Sequence, residues 1–218
     1  MKKEDSFIKA LSENAGPINP VKSSRISTVL WLISALAVLC LMVYLNGLRH
    51  DIGLKLHEPL FVAKSVGLLL LAGVVAFAGF QLGIPDAPKK QRVFVSLVYG
   101  GLVFWAGMLL HSVYTLGPGH MTDHAAHTLH VGDICMVSTI SGALAAATVM
   151  FIMLRHHFAV KPAATAAAVA VSSGTIAYMS GMYFCPIENG LHIAVWHMGP
   201  ALISALVLSF VGAFILRK

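Results

Sequence analysis

The chain has 218 residues, of which 57% are hydrophobic and 11% charged, with a formal net charge of +6. Its mean hydropathy is +0.80. Soluble domains carry about 25% charged residues, so this chain has too little polar surface to cover itself in water. The composition excludes a soluble globular domain and predicts a protein whose solvent is lipid.

Six apolar runs predict membrane-spanning helices. Each has about 20 residues or more, enough to cross a hydrocarbon core of roughly 30 Å as an α-helix. Backbone polar groups in lipid must be hydrogen-bonded within their own segment, which favours helices. The runs are 26–46, 60–84, 93–116, 134–154, 161–184 and 191–216. The predicted fold class is all-α, a polytopic bundle of six transmembrane helices (26–218) preceded by an N-terminal tail (1–25).

The distribution of basic residues predicts the orientation of this bundle. Twelve of the 15 lysines and arginines fall in the tail, in the loops after the second and fourth runs, and at the C-terminus. The opposite loops hold Arg49 and Lys55. By the positive-inside rule, both termini face the cytoplasm and three loops lie outside. The basic charge then reflects membrane orientation and does not imply direct nucleic-acid binding.

Two cysteines are predicted at the outer face. Cys135 opens the fourth run and Cys185 ends the fifth. Thiols at one depth can form a disulfide only if their Cα atoms come within about 7 Å. The third cysteine, Cys40, lies inside the first run and is expected to be a buried small hydrophobe.

Two histidines open the sixth run, within seven to twelve residues of Cys185. His192 and His197 are five residues apart, about 140° round an α-helix, so they are predicted to lie on different faces. Cys185, His192 and Cys135 are candidates for one centre, because a turn containing Pro186 separates the first two. The alternative is that each imidazole hydrogen-bonds across helices as a packing residue.

A second group of histidines lies in the sequence "GHMTDHAAHTLHVGD", residues 119–133. If this stretch is helical, His120, His124 and His127 share one face, and His130 lies one position short of it. Imidazole suits zinc, copper and nickel. A metal site and a solvated polar loop both fit this pattern.

The fifth run contains two ladders of small residues. Such ladders let neighbouring helices approach closely, so this helix is predicted to pack on two sides. The ladders are Ala166, Ala170 and Gly174, and Ser173, Ala177 and Gly181. The chain contains no P-loop, HExxH or CxxC motif, and no enzymatic activity is predicted from it.

Three stretches carry a resemblance to a known family. The run "CPIENGLHIAVWH" resembles the cysteine-proline, histidine and tryptophan signature of the negative regulator of sigma F family (NrsF). The run "ICMVSTISGALAAATVMFIMLRHHFAVKPA" is similar to that family's fourth helix, and "FIKALSENAGPINPVKSSR" to its cytoplasmic segment. The resemblance covers nearly the whole chain.

The resemblance implies a function as well as a fold. Members of the family are anti-sigma factors of the bacterial inner membrane, which hold an extracytoplasmic-function sigma factor and release it under metal or oxidative stress. It implies that Cys135 and Cys185 are the sensing pair. His192 and His197 are further candidate metal ligands by their positions in the sequence. No obligatory cofactor is predicted, although a thiophilic or divalent metal ion fits the site.

The same resemblance assigns the N-terminal tail to the sigma factor. Phe7, Ile8 and Leu11 have the spacing of one apolar helix face, which can dock in a groove on a partner, and Pro20 follows them. The alternative for this tail is a basic segment lying on anionic lipid. The alternative for the whole chain is a membrane metal- or haem-handling protein, or a small thiol redox enzyme, that uses the histidine-rich outer loop.

Overall fold

The computed structural model describes residues 23–84, 88–114, 125–155 and 159–216, and leaves out the side chains of 88–89 and 125–131. All the regular structure in these ranges is helical. In chain order the elements are α1 (Ser24–Asn46), α2 (Ile52–Lys55), α3 (Pro59–Leu82), α4 (Pro88–Tyr114), α5 (Ala125–Leu154), α6 (Pro162–Phe184), α7 (Gly190–His192), a π-helix (Ile193–Met198) and α8 (Gly199–Ile215).

Six helical units in the described residues are long and apolar enough to cross a membrane. They are α1, α3, α4, α5, α6 and the continuous unit from α7 to α8. This confirms the predicted all-α architecture with six spans. Helix α5 begins at Ala125, well before the apolar run at 134, because helical hydrogen bonding does not require apolar side chains. Apolar runs mark where a chain crosses lipid, and not where its helices begin.

Helix α6 lies at the centre of the bundle. About 89% of its span is buried, against 17–44% for the other five, and it contacts α1, α3, α4, α5 and α8. Its small residues allow this, since a Cβ on Gly79 of α3 would lie only 2.9 Å from the Cβ of Ala168. The prediction that this helix packs on more than one side is confirmed.

The outward faces of the other helices are apolar. Tyr44, Leu206 and Phe210 are 70–83% exposed, which is the expected composition for contact with lipid chains. Cys40 is also exposed, on α1, so the expectation that it is buried is wrong. Lipid-facing and core-facing positions are equally apolar, and hydropathy does not distinguish them.

Two buried indole groups hydrogen-bond between helices. Trp31 Nε1 of α1 donates to the carbonyl of Ala146 in α5 at 3.1 Å. Trp105 Nε1 of α4 donates to Thr175 Oγ1 of α6 at 2.9 Å. An unpaired N–H group is costly in an apolar medium, so these bonds fix which faces of the helices meet.

Candidate metal centre

Four side chains from three parts of the chain converge at one end of the bundle. The sulfur atoms of Cys135 and Cys185 and one nitrogen each of His192 and His197 all lie within 4.8 Å of one another. Each residue is at most 5% exposed. In a tetrahedral zinc site with two sulfur and two nitrogen ligands, the ligand atoms are roughly 3.3–3.8 Å apart. The cluster is therefore close to a metal-binding geometry and needs only a small contraction.

The end of α6 places Cys185. Its backbone N–H donates to the carbonyl of Gly181 at 2.9 Å, and its own backbone is extended. This conformation follows from Pro186, because proline disfavours the helical conformation of the residue before it. Asn189 then caps the next helix by accepting a hydrogen bond from Leu191 N at 2.8 Å. The chain thus reverses within five residues and brings His192 back to Cys185.

A π-helix brings the two histidines together. His192 Nε2 lies 3.3 Å from Cys185 Sγ, and the ring centroids of His192 and His197 are 5.3 Å apart. The expectation that they lie on different faces is wrong, because residues 193–198 wind with five-residue hydrogen bonds, as from Gly199 N–H to the carbonyl of Ala194. That winding places residues five apart on nearly one face. Pro200 favours it, since proline has no N–H for the carbonyl of Trp196.

Two glycines make room for the aromatic rings beside the cluster. A Cβ on Gly181 of α6 would lie 2.4 Å from His197 Nδ1. A Cβ on Gly132 of α5 would lie 2.3 Å from the Trp196 ring. Such distances are impossible for real atoms, so both positions exclude any other residue unless the ring moves. Gly181, predicted as a packing residue, therefore also shapes the site.

The polar atoms of the cluster are incompletely hydrogen-bonded within the described residues. His192 Nδ1 and His197 Nδ1 are buried and have no hydrogen-bond partner within the described residues, and buried polar atoms are rarely left this way. Hydrogen bonding from Cys135, and then from His192 and His197, lowers the pKa of the Cys185 thiol, although burial opposes this. Two cysteine sulfurs and two imidazole nitrogens form a donor set that zinc and softer metal ions prefer.

A partly open cavity of about 260 Å³ connects this cluster to the exterior of the bundle. Cys185, His197 and Gly181 line its inner end, and Lys55, Glu58, Lys64 and Glu188 are among the residues that line the rest. The Lys64 ammonium lies 5.3 Å from the centre of the Tyr178 ring, in a cation–π contact. A small ion or oxidant can therefore approach the Cys185 thiol through this cavity, whereas Cys135 is not among its lining residues.

An ion network forms one wall of this cavity. Arg49 binds Asp51 through two hydrogen bonds, 2.6 and 2.7 Å long, and Glu188 through a third of 3.2 Å. The Arg49 bonds hold the pKa of Asp51 at about 2, below its ordinary value of 3.8. Burial raises the pKa of Glu188, but Lys55 and Arg49 lower it further than burial raises it. All three groups are therefore charged near neutral pH.

Arg49, which lines the cavity beside the cluster, is not predicted from the sequence. The available signal was its position, because it is one of two cations in the loops predicted to lie opposite the basic side. An arginine that opposes the positive-inside trend needs a reason to be there. Its side chain is 3% exposed, which a hydropathy profile does not reveal.

The side chains of the remaining predicted site residues lie outside the described part of the chain. Phe7, Ile8, Leu11 and Pro20 lie outside the described residues, as do His120 and His124. His127 and His130 belong to the first turns of α5, but their side chains are outside the description. The cluster therefore contains four of the eight residues predicted to bind a metal.

Comparisons with known proteins agree with this architecture. The sequence model of a family described as NrsF, negative regulator of sigma F, matches residues 11–217. The chain is 28% identical to a protein of Azospira oryzae named "Probable anti-sigma-F factor NrsF", and the alignment covers 100% of both chains. No solved structure matches the chain significantly. Since the family match includes nearly every residue, the chain belongs to the NrsF family of negative regulators of sigma F.

Proposed function

We propose that this protein is a membrane anti-sigma factor that holds an extracytoplasmic-function sigma factor and releases it when the Cys–His cluster reacts. Family membership and the name of the Azospira oryzae relative support a regulatory role and a sigma-factor partner. The observation that carries the sensing mechanism is the convergence of two thiols and two imidazoles within 4.8 Å.

The proposed orientation puts the cluster outside and the partner inside. An even number of candidate spans supports a topology with both termini on one side, and the excess of lysine and arginine favours the cytoplasm for that side. The cluster then opens towards the periplasm of a bacterial inner membrane, where thiols meet oxidants and metal ions. The N-terminal tail, residues 1–25, would meet the sigma factor in the cytoplasm.

Two reactions of the cluster fit its chemistry. A thiophilic divalent ion would bind the two sulfur and two nitrogen atoms, and two thiol protons would leave. Alternatively, a two-electron oxidant such as a peroxide would take two electrons and two protons from Cys135 and Cys185 and leave a disulfide. Both reactions draw the end of α6 towards α5. A tenfold change in sigma affinity needs only about 1.4 kcal/mol of difference between the two states.

The sensing step is tested by single cysteine variants in cells that carry a sigma-dependent reporter. With Cys135→Ser or Cys185→Ser the reporter should stay silent at rest. Its induction by cadmium ions or peroxide should be at least about tenfold lower than with the parent. Cys40→Ser is the matched control and should respond like the parent, because Cys40 is exposed on α1 and does not belong to the buried cluster. If both cluster variants respond like the parent, the sensing proposal is wrong.

The partner is tested by co-purification of the sigma factor. Deleting residues 1–22, which leaves α1 intact, should abolish capture of the sigma factor in detergent. Replacing Phe7 and Leu11 with alanine should weaken capture strongly, whereas replacing Lys2 and Lys3 should not. If the deletion leaves capture of the sigma factor unchanged and reduces only binding to anionic vesicles, the tail is a lipid-binding segment.

The cluster itself favours a second candidate function, a membrane metal-handling protein. Metal analysis of the purified protein separates the two. One tightly bound ion per chain that stress does not displace, with no sigma factor captured, would support metal handling. Reversible loading that changes sigma-factor capture would support the sensor.

A further inference from the structure

The segment that follows the outer end of α1 is hydrogen-bonded to residues just before Cys185. Gly47 ends α1 with a φ of 83°, a left-handed conformation that suits glycine and turns the chain back over the bundle. The backbone N–H of Arg49 then donates to the carbonyl of Tyr183 at 3.0 Å. Arg49 Nη1 donates to the carbonyl of Met182 at 3.3 Å. Arg49 thus fastens the end of α1 to the last turn of α6, just before Cys185.

The Arg49 side chain also binds a residue that follows Cys185. Arg49 Nη2 donates to Glu188 Oε1 at 3.2 Å, three residues after the cysteine, and Lys55 Nζ holds the other carboxylate oxygen at 3.0 Å. Asp51 keeps the guanidinium in place with two bonds. A bidentate arginine is more rigidly placed than a lysine. The loop that carries Cys185 is therefore held at both ends by one residue.

Helix α1 also forms a hydrogen bond close to Cys135. Asn46 Oδ1, in the last turn of α1, accepts a hydrogen bond from Ser138 Oγ at 2.8 Å. Ser138 lies three residues after Cys135 on α5, less than one turn away. Both cysteines are thus adjacent to contacts with the outer end of one helix, and that helix follows directly on the N-terminal tail.

We propose that Arg49 is a positioning residue that couples the Cys185 loop to α1, so that a reaction at the cluster moves the helix that carries the tail. The expected consequence in the cell, release of the sigma factor, rests on the proposed function. The local turn at Pro186, the Asn189 cap and the π-helix position Cys185, His192 and His197 through contacts that do not involve Arg49. Metal binding and coupling are therefore separable, and a coupling element must have two arrangements that the cluster biases.

The test compares Arg49→Gln with Arg92→Gln, the same substitution at an exposed arginine of α4. Cobalt(II) titration of the purified proteins measures the metal affinity of the cluster. The sigma-dependent reporter measures release of the sigma factor. Arg49→Gln should bind cobalt(II) within about threefold of the parent but lose at least about tenfold of the induction, at equal membrane levels. Arg92→Gln should match the parent in both. Arg49→Lys, which cannot make the forked contacts, should recover only part of the response.

A second variant and a direct readout keep the proposal testable if Arg49→Gln does not accumulate. Glu188→Gln removes the negative charge that Arg49 and Lys55 bind at a half-exposed position, which weakens this attachment, and should lower the induction about threefold or more. Cobalt(II) should change hydrogen exchange of residues 46–52 in the parent but not in either variant. Parental induction in both variants overturns the proposal, and so does joint loss of cobalt(II) binding and induction. If the cysteine variants also respond like the parent, it is the proposed function that has failed.

Discussion

His192 and His197 are five residues apart, yet their ring centroids lie 5.3 Å from each other in a T-shaped arrangement. An α-helix would turn these side chains about 140° away from each other. The π-helix at Ile193–Met198 removes this difference. π-Helical turns are rare and are frequently found at functional sites, and this one completes a set of two sulfur and two nitrogen donors.

The first prediction concerns these two imidazoles. His192→Ala and His197→Ala should each lower cobalt(II) affinity at least about tenfold, because each removes one of four ligands. Absorbance titration of the reduced protein in detergent measures this, since thiolate–cobalt bands report the sulfur ligands. His57→Ala is the control, at an exposed histidine bonded to the carbonyl of Gly53. Parental affinity in both cluster variants would mean that the imidazoles only pack.

The second prediction uses two glycines of α6. A Cβ at Gly181 would lie 2.4 Å from His197 Nδ1, whereas a Cβ at Gly174 would make ordinary contacts of 3.8 Å or more. Gly181→Ala should therefore push His197 out of the cluster and lower cobalt(II) affinity about tenfold or more. Gly174→Ala should keep the affinity and stabilise α6 by about 0.5–1 kcal/mol, the usual gain in a helix. Equal affinities in the two variants would contradict the placement of His197.

The third prediction concerns the bond from Trp105 to Thr175 in the bundle core. Thr175→Val leaves the buried indole N–H without its acceptor and should lower the free energy of unfolding by about 1–2 kcal/mol. Thr175→Ser keeps the hydroxyl and should recover most of this loss. Unfolding by SDS in mixed micelles, followed by tryptophan fluorescence, measures both. A valine variant as stable as the serine variant would show that the bond contributes nothing.

The fourth prediction is a pH dependence of the Arg49–Asp51 pair. The pKa of Asp51 is lowered from 3.8 to about 2 by Arg49. A lowered pKa means that the pair stabilises the fold fully above pH 3.8 and that this contribution is lost as the pH falls through about 2. The difference in melting temperature between the parent and Asp51→Asn should therefore stay constant from about pH 7 to pH 5 and shrink below about pH 4. A difference that disappears at about pH 6 would point to another titrating group.

Some of the site could be predicted from particular residues. The sequence predicts Cys135 and Cys185 at the same end of neighbouring spans, because a thiol next to the end of an apolar run must lie near the membrane surface. The small-residue ladders of α6 predict close packing on two sides, since small side chains let neighbouring helices approach, but its central place in the bundle is visible only in the structure. The prediction for Cys40 is wrong because a lipid-facing cysteine and a core cysteine look the same in an apolar run.

The number of spans and the fold class follow from the sequence, because lipid imposes long apolar helices that appear as apolar runs, and the cysteine-containing motifs indicate the family. The site depends on tertiary packing. The π-helix is defined by its backbone hydrogen bonds, which the sequence of this helical segment does not reveal. The α-helical periodicity assumed for the segment therefore predicts His192 and His197 on different faces. The role of Arg49 depends on the carbonyls of Met182 and Tyr183, which lie more than 130 residues away and are hydrogen-bond acceptors in any sequence. Contacts of this kind exist only once the helices have packed.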